Sequence, residues 1–193
     1  MLAQYLELKK QYSDAIVFYR LGDFYEMFFE DAVQAAPVLE VQLTSRDKSA
    51  ANPIPMCGIP YHAVSSYLQK LLAKGFKVAI CEQVEDPKTT KGIVKREVVR
   101  VVTPALVGDP ELISEDSYNY LMALGVTDSQ TIEVALLDLL SGQLKLGTIE
   151  NSSQLTDLLY KYAPKELLLS QKLLEFPPFA ESIKYFPFIT LSY

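Results

Sequence analysis

The spacing of hydrophobic and polar positions changes several times along this chain, and each change marks an element. Ala15 to Arg20, "AIVFYR", is a β-branched and aromatic run stopped at Gly22, the pattern of a strand. Asp23 with Glu26 three residues on resembles a capping box. Phe24, Met27, Phe28, Ala32, Ala35 and Ala36 then recur at helical spacing as far as Pro37, which predicts a helix from Asp23 onward. "VQLTSR" reads as a second strand, and "DKSAANPIPMCGIP" as a loop on its proline and glycine content. A further helix is predicted over Ala63–Ala73, with Val64, Tyr67, Leu68, Leu71 and Leu72 on one face and Gly75 at its C-terminal end. "KVAICEQV" and "EVVRVVTP" read as buried strands, the latter closed by Pro104. Strands interleaved with helices make this half α/β.

In "ALVGDPELISED" turn formers and acids replace the hydrophobic pattern, which predicts a linker. The alternation then restarts. "TIEVALLDLLSGQLKLGTI" predicts two strands joined at Ser141-Gly142. "NSSQLTDLLYKYAP" predicts a helix with a serine cap and a proline stop, and "KELLLS" and "FPFITLSY" predict two more strands. The expected organisation is a first domain over 1–104, a linker over 105–117 and a second α/β domain over 118–193, in a chain excised from a longer protein.

Charge sharpens this division. The net charge of −6 hides an asymmetry. Residues 1–104 hold 13 basic and 12 acidic side chains, against 5 and 12 in residues 105–193, so the halves carry +1 and −7. The electropositive stretch is "KTTKGIVKREVVR", Lys88 to Arg100, with five basic residues and one acid. It suits a solvated strand and loop, or an edge that touches phosphate.

Several classes of chemistry lose support. There is no apolar run of the roughly 18–20 residues that spans a bilayer, and early charges in "MLAQYLELKKQ" argue against a signal peptide. Cys57 and Cys81 form neither a disulfide framework nor a metal cluster, and the sole histidine, His62, lies in the turn-like "GIPYHA". A reducing, cytoplasmic setting is expected. Walker, dinucleotide-binding and nucleophile-elbow motifs are absent. Asp128, Asp138 and Asp157 are the carboxylates to weigh as metal ligands. Asp138 stands in an apolar strand before a Ser-Gly turn, where a turn acceptor is the simpler role.

The stretch Tyr19–Ala32, "YRLGDFYEMFFEDA", holds five aromatics and four carboxylates. Phe24 and Glu26 fit a core stripe and a helix-start carboxylate. They also fit an exposed ring that wedges a base step open beside an acceptor that reads a base edge, with Gly22 allowing close backbone approach. Spacing leaves both open.

The blocks "QYLELKKQYSDAIVFYRLGDFYEMFFEDA", "PIPMCGIPYHAVSSYLQKLLAKGFKVAICEQVEDP" and "KGIVKREVVRVVTP" resemble, from about Gln4 to Pro104, the mismatch-recognition domain of the MutS family of bacterial DNA mismatch-repair proteins. Residues after about Tyr118 resemble the family's connector domain, of ribonuclease H-like fold. The resemblance implies that Phe24 stacks on a mispaired base from the minor groove and that Glu26 hydrogen-bonds to it. Arg46 and Arg96 would lie near the DNA backbone, and Leu21, where methionine is common, would touch the groove. It implies mismatched duplex DNA as partner, a homodimer in the full-length family, and downstream repair proteins met through the connector. It gives His62 no catalytic task. It implies no cofactor and no catalysis in this stretch, ATP and magnesium belonging to family domains outside it, and a cytoplasmic, nucleoid-associated setting without a membrane. Two alternatives stand beside it: a ribonuclease H-like metal-dependent nuclease using Asp138, and a non-catalytic protein-interaction module.

Overall fold

The computed structural model describes residues 1–46, 52–85, 92, 94–106, 119–127, 131–175, 177–187 and 189–192. The chain divides into two compact units, one reaching from Met1 to Thr103 and the other ending at Tyr193. The linker segment is described as far as residue 106, and Asp128 lies outside the described residues.

In the first unit, α1 (Leu2–Gln11) precedes a six-stranded sheet: β1 (Ala15–Leu21), β2 (Phe24–Phe28), β3 (Thr44–Arg46), β4 (Ile54–Pro60), β5 (Lys77–Gln83) and β6 (Arg96–Val102). The spatial order is β3-β4-β2-β1-β5-β6, and β1 runs parallel to β5 while the other pairs are antiparallel. α2 (Phe29–Leu39) follows β2, and α3 (Val64–Ala73) connects β4 to β5. α3 occupies the span its periodicity predicts. Gly75, at φ +82°, turns the chain out of it while the Gly75 and Phe76 N–H groups donate to Leu72 and Leu71.

Two expectations are corrected here. Phe24 to Phe28 is a strand, and the helix begins at Phe29. The residues satisfy both periods, since Phe24, Met27 and Phe28 also stand at i, i+3 and i+4. The decision comes from outside the segment, because β1 and β4 flank it and take up its backbone hydrogen bonds. Glu26 therefore caps no helix. The proline-rich stretch read as loop contains β4, whose partner β2 supplies the pairing that composition does not display.

One face of this sheet is covered by α1. Tyr5 meets Phe28 edge-to-face at 5.1 Å and Tyr19 at 5.7 Å. Buried Asp31 ties the layers together: it accepts from the Tyr5 hydroxyl at 2.6 Å and the Val17 N–H at 3.0 Å, and pairs with Lys9 at 2.8 Å.

The second unit is a five-stranded sheet of order β11-β10-β7-β8-β9: β7 (Tyr120–Val126), β8 (Ile132–Asp138), β9 (Gln143–Ile149), β10 (Glu166–Leu169) and β11 (Thr190–Ser192). β7, β8 and β9 form an antiparallel meander, to which β10 and β11 add in parallel. α4 (Ser152–Tyr162), α5 (Gln171–Leu174) and α6 (Pro177–Lys184) complete it, and Leu155 and Leu159 of α4 join Met122, Leu136 and Leu167 in one core. The cap of α4 is Asn151, whose Oδ1 accepts the Gln154 N–H at 3.0 Å, rather than a serine. No helix among the described residues is long and apolar enough to cross a membrane.

Candidate nucleic-acid interface

β1 and β2 form a hairpin in which Leu21 pairs with Phe24, leaving Gly22 and Asp23 as a two-residue turn. Gly22 has φ +59° and Asp23 does not enter the positive-φ region, as in the turn class with glycine at the first central position. A side chain at Gly22 would meet open space, so its need for glycine is conformational.

Alternation along β2 puts Phe24, Glu26 and Phe28 on one face and Tyr25 and Met27 on the other. On the first face burial falls steadily toward the turn. Phe28 is fully buried under α1, Glu26 is half-buried, and Phe24 at the tip is 48% exposed. Leu21, half-buried, stands directly across from Phe24.

Glu26 lies between Tyr19 of β1 and Gly58 of β4 in register. Gly58 leaves the lateral space open: a Cβ there would lie 3.6 Å from the Glu26 Cγ. The Glu26 Oε2 is buried yet accepts no hydrogen bond among the described residues. Burial raises its carboxyl pKa, an effect opposed by the positive charge of Arg46. Arg46 is exposed on β3, in register with Ile54, and makes no ion pair with Glu26 among the described residues; its Nη1 lies 3.9 Å from the Met1 Sδ.

Arg96 differs from expectation. It is 6% exposed, its Nε donates to the Arg20 carbonyl at 2.7 Å and its Nη1 to the Val94 carbonyl at 2.8 Å. Its guanidinium lies 4.9 Å from the centre of the Tyr19 ring. Two of its N–H groups are thus given to the protein's own backbone, and the Nε bond ties Arg96 to the end of β1. Of the electropositive stretch, Lys95 pairs with Glu97 at 2.6 Å and Arg100 is exposed; Lys88 and Lys91 lie outside the described residues.

Arg20 and Tyr61 escaped sequence reasoning. The Arg20 Nε donates to the Gly22 carbonyl at 2.6 Å, and its guanidinium stacks 3.7 Å from the centre of the Tyr61 ring. The Tyr61 N–H donates to the Asp23 carbonyl at 3.0 Å. Behind them the Tyr25 hydroxyl donates to Glu82, and burial, then that bond, pushes its pKa up to about 12. The turn is therefore held through both of its central carbonyls. The one signal available in the sequence was the density of aromatic and charged residues around "YRLGDFYE".

His62 is exposed and meets only the edge of Tyr61 at 5.9 Å. Asp138 uses its oxygens locally, accepting the Leu140 N–H at 3.1 Å and the Ser141 hydroxyl at 2.7 Å. The hydroxyl bond is the main reason its pKa is lowered. Asp157 stands on α4, and among the described residues no three potential ligands gather into a metal site.

The geometry defines a class: a mixed α/β domain whose central hairpin extends an exposed ring and an unpartnered carboxylate oxygen on one face, followed by a second α/β unit. Comparison with known proteins makes that class particular. A family model described as MutS domain I matches residues 1–111, and one described as MutS domain II matches residues 119–185. The chain is 47% identical over 190 residues to the DNA mismatch repair protein MutS of Desulforamulus reducens, covering 97% of this chain and 22% of that protein. It is 49% identical over 175 residues to that of Staphylococcus carnosus, with 91% and 20% covered. It is 50% identical over 168 residues to that of Lachnoclostridium phytofermentans, with 87% and 18% covered. This chain belongs to the MutS family and spans about a fifth of the length of these relatives.

Proposed function

We propose that the chain is the mismatch-sensing part of a DNA mismatch-repair protein, and that the β1–β2 hairpin enters the minor groove at a mispair. The observation that carries this reading is the pairing, on one face of a braced hairpin tip, of an exposed Phe24 ring with a Glu26 oxygen that has no donor. Side chains two apart on a strand stand about 7 Å from one another on the same face. A ring stacked on a mispaired base thus leaves the Glu26 carboxylate within side-chain reach of an edge of that base. Unstacking costs least where pairing is already poor, so the wedge reads deformability rather than sequence. A carboxylate among phosphates is repelled by every duplex, and a base with a correctly placed donor offsets that repulsion. The acidic probe thereby weakens binding to matched DNA.

Leu21 flanks the ring in the groove, and exposed Arg46 faces phosphate. Arg96 positions the hairpin instead of touching DNA. The second unit is a ribonuclease H-like connector without catalytic function, spanning about residues 118–193. Its antiparallel meander, extended from the first strand by two parallel strands, supports that reading. The engaged oxygens of Asp138 speak against a nuclease. In the whole protein we place a homodimer, ATP-dependent steps and contacts with downstream repair proteins, in the bacterial cytoplasm.

The test is made in a full-length MutS-family protein carrying this segment. Phe24→Ala and wild type are titrated with a duplex bearing one G·T mispair and with the matched duplex, at fixed salt. Loss of most of the mispair preference with a folded protein is expected. A preserved preference overturns the proposal.

A further inference from the structure

In the second unit, β9 is the edge strand beyond β8, and six of its seven residues are exposed. Leu144 is 56% and Leu146 75% exposed. A long, apolar, uncovered edge offers backbone groups and side-chain sites to another strand. Beside it, between β9 and α4, lies a cavity of about 500 Å³. Met122, Val134 and Leu136 form its floor, and Lys145, Lys161 and Tyr162 stand along its wall.

Gly147 leaves part of the cavity unfilled. Lys145, Gly147 and Ile149 share the face that pairs with Leu136, Val134 and Ile132. A Cβ built on Gly147 meets nothing within 4 Å, and its backbone is in an ordinary strand conformation. Glycine inside a strand is unfavourable unless another chain or ligand approaches there.

Charge selects the occupant. The Lys145 Nζ lies 5.3 Å and the Lys161 Nζ 5.2 Å from the centre of the one Tyr162 ring. Neither makes an ion pair among the described residues, although Lys145 contributes to holding Asp138 ionised, and Asp157 also lines the cavity. Two ammonium groups thus flank one ring beside a single lining carboxylate, Asp157, in the half of the chain that carries −7. That field repels strongly acidic ligands, so a single carboxylate on an apolar segment fits best.

We propose that β9 and α4 form a peptide-binding groove, which takes an extended segment of a partner protein as an added strand. An apolar side chain of that segment fills the space over Gly147, and a carboxylate two residues away meets Lys145 and Lys161. This is independent of the role of Phe24.

The probe is a displayed library of random peptides selected against the chain. The expected result is binders with an apolar residue and an acid two apart, which slow amide exchange across 143–149. Gly147→Tyr, at a position where an added Cβ meets nothing within 4 Å, puts a ring into the groove and weakens these binders at least tenfold at an unchanged melting temperature. Lys145→Glu with Lys161→Glu turns the selected preference from acidic to basic. A selection that yields no binder, binders indifferent to Gly147→Tyr, or a chain that covers β9 by pairing with its own copy in sedimentation overturns the proposal.

Discussion

Phe24 and Phe28 stand four residues apart on the same strand face, and truncating each to alanine measures what the hairpin tip contributes to the fold. A buried phenylalanine removes about 150–250 Å² from water. With Phe24 48% exposed, about 100 Å² is at stake, or at most ~2.5 kcal/mol at about 25 cal/mol per Å². No cavity penalty follows, since the ring already borders solvent. Phe28 is fully buried and packs edge-to-face on Tyr5, so its truncation costs about 3–5 kcal/mol. Thiol labelling reads this unit alone, because Cys57 and Cys81 are free, buried and both within it. Burial pushes their pKa values up to about 11 and about 12, so the folded protein reacts slowly at pH 8 and labelling follows transient unfolding. Each 1.4 kcal/mol speeds labelling about tenfold. Phe24→Ala should accelerate it by at most about sixtyfold, and Phe28→Ala by more than a hundredfold. Equal acceleration would refute the assignment of Phe24 to the tip and return it to the core.

Glu26→Gln tests the unpartnered carboxylate. Burial raises the Glu26 pKa in the folded state, so the stability it contributes is full below its unfolded value of about 4.3 and is lost as pH rises through the folded value. The glutamine variant should therefore melt above wild type at pH 7, with the gap closing as pH falls toward 4; a gap independent of pH refutes the idea. Arg46→Met and Arg96→Met should separate in opposite senses. Loss of exposed Arg46 reduces the salt slope of duplex binding by about 1 and leaves the melting temperature unchanged. Loss of buried Arg96 strands the Arg20 and Val94 carbonyls, lowers the melting temperature by several degrees and leaves the slope unchanged. The reverse pattern would make Arg96 the phosphate contact.

Elements whose pattern was local were legible. β1 and β5 announced themselves as apolar runs, α3 by its stripe and its glycine stop, and the β8–β9 hairpin by Ser141-Gly142. β6 forms where its valines predict, but as an edge strand with Val99 and Val101 exposed, not the buried strand expected. The misreadings of β2 and β4 share one cause. β2 and β4 are strands because each lies beside a partner distant in sequence, and β4 in particular hides among prolines that suit its local geometry without predicting its pairing. The cap of α4 went to Asn151 rather than a following serine because the helix already starts at Ser152, earlier than a serine cap allows.

The hairpin illustrates why residue identity was easier to read than residue role. "GDFYE" states a turn former, a ring and an acid, but a helix and a strand give that string opposite meanings. In a helix, Phe24 joins Phe28 in the core and Glu26 caps the first turn. In the strand, the same two residues share a face that runs outward from beneath α1, so burial declines from Phe28 to Phe24 and one oxygen of Glu26 is left without a donor. The basic residues are hard to rank from sequence for the converse reason. Charge alone cannot distinguish Arg46, whose guanidinium is exposed, from Arg96, whose donors are turned onto the carbonyls of its own chain. A rigid wedge needs both kinds: a cation free to meet phosphate, and others that give up solvent to hold the turn. Arg20 and Arg96 are of the second kind. They fix the strand behind Gly22, so that a ring at a two-residue turn is presented in one orientation before anything binds it.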